Sequence, residues 1–180
     1  MTEKTVQLAV VIGSVRTGRF GPVVAAWFAE RARRRPELSV DVVDLRDTGL
    51  DAGFAERIGA ADAVVIVTPE YNHSFPGPLK TALDAVGGEL RDKPVGFVAY
   101  GGLSGGLRAV EQLRPVLAEL HAVGLRDTVS FHGASGAFDA TGHPREEVAD
   151  AAATVVLDAL VWWARTLRRA RDEQAAGSPT

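Results

Sequence analysis

The chain has no cysteine among its 180 residues. Disulfides, thiolate nucleophiles and cysteine-ligated metals are thereby excluded, and any redox chemistry has to reside in a cofactor. Histidine is scarce too: His73, His121, His132 and His143 are scattered, with no pair at ligand spacing, so no metal is implied. A dominant charge is also missing. The net charge of −3 gives no basic footprint for nucleic acid, and the densest basic run, Arg31, Arg33, Arg34 and Arg35, reads as the solvated end of a helix. No apolar run approaches membrane-spanning length. The N-terminus, MTEKTVQLAVVIG, starts with mixed charge and then has a short apolar run, unlike a secretory signal. A cytoplasmic location is the resulting expectation.

What is present is an ordinary globular balance, 46% hydrophobic and 24% charged, at a length that buries most of the surface of one domain. Residues 1–172 are expected to form that single domain, and the polar stretch 173–180 a disordered tail. Strand-like runs alternate with helical periodicity, the pattern of parallel βα units. Strands are expected at Gln7 to Ile12, Ser39 to Asp44, Ala63 to Thr68, Val95 to Tyr100 and around Arg126 to Phe131. AVVIVT at 63–68 is continuously apolar or β-branched, as a central strand buried on both faces must be. The Gly-punctuated stretch Leu50 to Ala60 is at most a short helix, and Pro144 is expected to start the last one. The predicted fold is α/β, with a five-stranded doubly wound parallel sheet in the order 2-1-3-4-5 and helices on both faces.

Three loops follow strands one, three and four and converge on the switch point of that topology, beyond the strand carboxyl ends. The first, GSVRTGRFGP, combines close-approach glycines, hydroxyls and two arginines just before a helix opened by Pro22. A phosphate is the ligand such a site fits. The Gly13 to Gly18 spacing matches an NTPase phosphate loop, yet Arg19 and Phe20 stand where lysine and a magnesium-holding hydroxyl belong. The dinucleotide pattern G-x-G-x-x-G is absent as well, which leaves a mononucleotide.

The segments GSVRTGRF, PEYNHSFPGPLKTALD and YGGLSGG together resemble the NADPH-dependent FMN reductase family of flavodoxin-like proteins, from about Leu8 to Arg126. The resemblance implies bound FMN, NADPH or NADH as hydride donor, and a small-molecule acceptor: a flavin, quinone, azo dye or oxidised metal ion. It also implies FMN at a homodimer interface, with dimers often pairing into tetramers. Ser14, Arg16, Arg19, Phe20 and Gly21 match the family's phosphate loop. Arg19 and Gly21 depart from the Ser and Asn common there, exchanging a hydroxyl and an amide for a cation. Pro69, Glu70, Tyr71 and Asn72 match the segment along the isoalloxazine. Tyr100, Gly101, Gly102, Ser104 and Gly105 resemble the loop on the flavin's pyrimidine side. No catalytic acid or base is required, since the flavin carries the chemistry.

Some bland readings compete with these. Ser104 could cap the next helix, Arg108 could be a surface charge, and His73 could be a solvated loop histidine rather than a proton donor to a reduced quinone. Two other functions stay open, a flavodoxin-like electron carrier and a flavin-binding regulatory module. The helix from Pro78 to Val86 and the last helix, with adjacent Trp162 and Trp163, carry more apolar surface than one sheet face needs. A homodimer or larger assembly is therefore expected.

Overall fold

A computed structural model describes residues 4–49 and 52–177. Five strands, β1 (Val6–Ile12), β2 (Leu38–Asp44), β3 (Ala63–Pro69), β4 (Pro94–Tyr100) and β5 (Val123–Phe131), form one sheet in the order β2-β1-β3-β4-β5. All four pairings are parallel. The strand order reverses between β1 and β3, and that is where a crevice opens at the carboxyl ends. β3 and β4 are buried at every position, so their continuous Val, Ile and Ala runs meet helices on both faces.

On one face, α1 (Gly21–Arg33) and α7 (Val148–Gly177) cover Val10, Val65 and Val98. On the other, α2 (Leu45–Thr48), α3 (Ala52–Ala60), α4 (Gly77–Asp84) and α5 (Leu107–Glu119) cover Ala9, Val64, Ile66 and Phe97. A short helix, α6 (Ala134–Ala137), lies within the long connection after β5.

The stretch before β3 is a short helix over Ala52–Ala60, as expected, with Phe54, Ala55 and Ile58 on a buried stripe whose packing outweighs Gly53 and Gly59; Leu50 lies outside the described residues. The structure corrects two expectations. Pro144 does not open the last helix. It pairs with Phe138 in an isolated bridge, Arg145 N–H donates to the Ala137 carbonyl, and α7 starts at Val148. At its other end α7 continues as helix to Gly177, into the stretch read as a tail, with Arg168 bound to Asp62 and to the Lys4 and Thr5 carbonyls.

Candidate functional site

The loop after β1 is tied down from below and left open above. Gly13 N–H donates to the Val67 carbonyl, and Ser14, fully buried, shares a 2.8 Å hydrogen bond between its hydroxyl and that of Tyr71. Beyond Ser14 the chain turns outward. The backbone N–H groups of residues 14–18 have no protein partner among the described residues, and they precede the N-terminus of α1. Donors left open beside a helix N-terminus suit an anion. Arg16 is exposed there, its guanidinium 6.0 Å from the centre of the Tyr71 ring.

Arg19 is placed differently from Arg16. Its guanidinium meets Asp44, the last residue of β2, through both nitrogens at 2.6 and 2.5 Å, and donates to the Ser14 carbonyl at 2.6 Å. The pair is largely enclosed, with side chains 9% and 17% exposed. Three donors are thus committed within the protein, so Arg19 braces the loop from beneath. Asp44 also accepts from Arg46 N–H and caps α2, which fixes the carboxylate.

Phe20 and Gly21 face inward. Phe20 packs edge-on to Tyr100 and Phe138, with centroids 6.1 and 5.3 Å away. A β-carbon on Gly21 would stand 2.9 Å from the Tyr100 hydroxyl and 3.0 Å from an Ile12 methyl. Tyr100 therefore reaches beneath the start of α1, with its hydroxyl buried and unpartnered, rather than lining an outer loop. Burial pushes that hydroxyl's pKa up, and nearby Tyr71 adds to the shift against the opposing pull of Arg19. Gly21→Ala is expected to destabilise the fold by about 1–3 kcal/mol through overpacking. Urea unfolding checks this, and in a Tyr100→Phe background the loss should shrink, because the crowding oxygen is gone.

The loops after β3 and β4 are joined to each other. Glu70 N–H donates to the Tyr100 carbonyl, extending the sheet ladder past Pro69, the last residue of β3. The Glu70 carboxylate accepts from the Ser104 hydroxyl and, at 3.2 Å, from Arg108. Burial, the largest influence on Glu70, raises its pKa, but Ser104 and Arg108 together outweigh it and hold the carboxyl below its ordinary value. Ser104 is thus a cross-loop donor and not a helix cap, and α5 begins at Leu107, with Gly106 at its N-cap and no side-chain cap. Arg108 is a partner of Glu70. Tyr71 and Ser74 exchange backbone hydrogen bonds of 2.8 and 3.1 Å around Asn72 and His73, which sit at φ 50° and 70°. Two central residues at positive φ make a primed hairpin turn, which leaves Asn72 and His73 exposed at its tip.

Gly101 donates its N–H to the Phe131 carbonyl, and Gly102 is exposed. Gly105 is buried at φ +62°, where a β-carbon would collide with Ser130 and His132. Those two side chains, which the sequence did not single out, hold the loop from β5. Ser130 Oγ donates to the Gly105 carbonyl, and His132 Nδ1 lies 2.9 Å from the Leu103 carbonyl. Leu103 itself is 92% exposed at the loop tip. No group of three potential metal ligands exists among the described residues.

The three loops therefore form one braced rim at the carboxyl ends of β1, β3 and β4. Its phosphate-type end has open amides and a free-standing Arg16, and its middle has the Tyr71 to Ser74 turn. The donor set is chemically suited to a phosphorylated planar cofactor.

Comparison with known proteins finds matches over most of the chain. Residues 6–136 match the family model described as NADPH-dependent FMN reductase. An NAD(P)H-dependent FMN reductase of Schizosaccharomyces pombe is 34% identical over 122 residues, 57% of this chain; the chain spans 61% of that protein's length. A quinone reductase of Escherichia coli K12 is 35% identical over 142 residues, 68% of this chain and 74% of that protein. Among solved structures, the flavoenzyme NAD(P)H:(acceptor) oxidoreductase FerB of Paracoccus denitrificans superposes with a TM-score of 0.70, covering 90% of this chain and 98% of that one. At 23% identity, this likeness concerns the fold.

Proposed function

The chain belongs to the NADPH-dependent FMN reductase family, and from that premise we propose that it holds FMN in the braced crevice and passes hydride from NADPH or NADH to flavin, quinone or azo-type acceptors. The observation that carries this reading is the run of open amides over residues 14–18, with Arg16 beside them at the start of α1. Bound FMN supplies the hydride chemistry, and the chain supplies placement and electrostatics.

In this reading Arg16 and the loop amides hold the phosphate, with Arg19 and Asp44 keeping the loop in place. The backbone around Pro69, Glu70, Tyr71 and Asn72 meets the ring's polar edge, where donors stabilise charge that develops on reduction. Gly101 and Gly102 allow close approach on the pyrimidine side, and Ser104, through Glu70, fixes the spacing of the two loops. Tyr100, Phe20, Gly21 and Gly105 support the rim from inside. Residues 1–172 act as one FMN-binding unit that self-associates as a homodimer or tetramer and works in the cytoplasm. Among the described residues no helix is long and apolar enough to cross a membrane.

Nicotinamide and acceptor are taken to use one exposed ring face, so they bind in turn. Initial rates with NADPH varied at several quinone concentrations should give parallel double-reciprocal lines, with excess quinone competing against NADPH. Intersecting lines would mean a ternary complex and contradict the shared face.

A further inference from the structure

Arg108 stands where the local backbone does not favour a cation. It is the second residue of α5, whose first turn holds no acidic side chain, and a helix N-terminus disfavours positive charge. Among the described residues its side chain has a single partner, the Glu70 carboxylate, which one terminal nitrogen meets at 3.2 Å. Glu111, one turn further along α5, is exposed and does not pair with it among the described residues. The reason for an arginine at this position therefore lies across the rim and not within the helix.

Glu70 is fixed on both sides. Its backbone N–H is bonded to the Tyr100 carbonyl, its carboxylate accepts from the Ser104 hydroxyl, and its side chain is only 10% exposed. Arg108, by contrast, is 43% exposed. A guanidinium has five N–H donors, and the bond to Glu70 uses one, so the rest are uncommitted among the described residues. Ser104, Glu70 and Arg108 thus present a cation at a set place on the rim, with donors free for an anion that accepts two bonds at once.

We propose, on the flavin reading above, that Arg108 receives the diphosphate of the nicotinamide dinucleotide while the nicotinamide ring lies on the flavin. The other two rim arginines already have places: Arg19 is bound to Asp44 and the Ser14 carbonyl, and Arg16 stands at the open amides of the phosphate loop. Arg108 lies one hydrogen bond from Glu70, in the segment assigned to the ring's polar edge. In NADPH and NADH alike the diphosphate is one ribose away from the nicotinamide, whereas the 2′-phosphate of NADPH sits farther out, on the adenosine. The nearer group is the one a rim side chain meets. Glu70 is then a positioning residue, which holds the guanidinium in place with its own charge already answered by Ser104 and Arg108.

Anaerobic stopped-flow bleaching of the FMN-loaded protein tests this with NADPH, NADH and dihydronicotinamide riboside, which carries no phosphate. Arg108→Ala should raise the apparent dissociation constants of both dinucleotides roughly tenfold or more relative to that of the riboside, with the limiting bleaching rate reduced far less. Arg108→Lys, which keeps the charge but loses the fork, should recover part of the loss. Because Arg108→Ala strands the Glu70 carboxylate, the double variant Arg108→Ala, Glu70→Gln is measured too and should show the same selective loss. The change that NADP⁺ causes in the visible flavin spectrum, read without turnover, should weaken in parallel. An unchanged ratio of dinucleotide to riboside in both variants would overturn the inference and leave Arg108 a surface partner of Glu70. A loss confined to NADPH would also overturn it, by moving the contact to the 2′-phosphate. A wild type bleached by none of the three would instead overturn the flavin reading, and the assignment of Arg108 with it.

Discussion

Arg19→Ala is expected to cost stability and FMN affinity together. Removing one member of a largely enclosed, bidentate pair strands the other charge, which typically costs about 3–5 kcal/mol. For a chain of this size that corresponds to a fall in melting temperature on the order of 10 °C. Asp44 would be left facing the phosphate loop with its cation gone, and the Ser14 carbonyl would lose its donor. Asp44→Ala should weaken FMN about as much as Arg19→Ala, because either change releases the loop. The double substitution should recover part of the stability, since neither charge is then stranded. Fluorescence titration of the apoproteins and thermal melts separate the roles. If Asp44→Ala left FMN affinity intact while Arg19→Ala abolished it, Arg19 would be a direct phosphate ligand and not a brace.

The second large effect is expected at Arg16. Its side chain is exposed, has no ion pair among the described residues and lies over Tyr71, so removing it should leave the fold essentially unchanged. A charge-assisted bond to phosphate is worth about 1.5–3 kcal/mol, so Arg16→Ala should raise the FMN dissociation constant by roughly tenfold to a hundredfold. Arg108→Ala, which touches Glu70 at 3.2 Å from a half-exposed position, should change it much less. Equal affinities for wild type and Arg16→Ala would take that residue out of the phosphate site.

The strand order was legible because strand-like runs alternated with helical segments, a pattern that admits the doubly wound order, and the unbroken AVVIVT run reads as a strand buried on both faces. The rim was legible for a different reason, since glycines, hydroxyls and arginines stood at the three connections that a doubly wound sheet brings together. The bracing beneath the rim was not legible. The Arg19 partner, Asp44, lies 25 residues away at the end of β2, and nothing local to either residue marks the pairing. Tyr100 shows the same limit. Its place in the motif suggested an outer loop, whereas a side chain at the last position of β4 points to one face of the sheet, here toward α1. Ser130 and His132, at and just past the end of β5, hold the Gly105 and Leu103 carbonyls, and contacts to backbone carbonyls leave no pattern in sequence.

The most direct measurement is anaerobic titration of the FMN-loaded protein with NADPH, and in parallel with NADH, followed by visible absorbance with no acceptor present. The account predicts that the oxidised flavin absorbance bleaches stoichiometrically with at least one nicotinamide, and that it returns on addition of a quinone. A protein that takes up FMN but is not bleached by either nicotinamide would be a carrier or a binding module. One that takes up no FMN would contradict the account at its root.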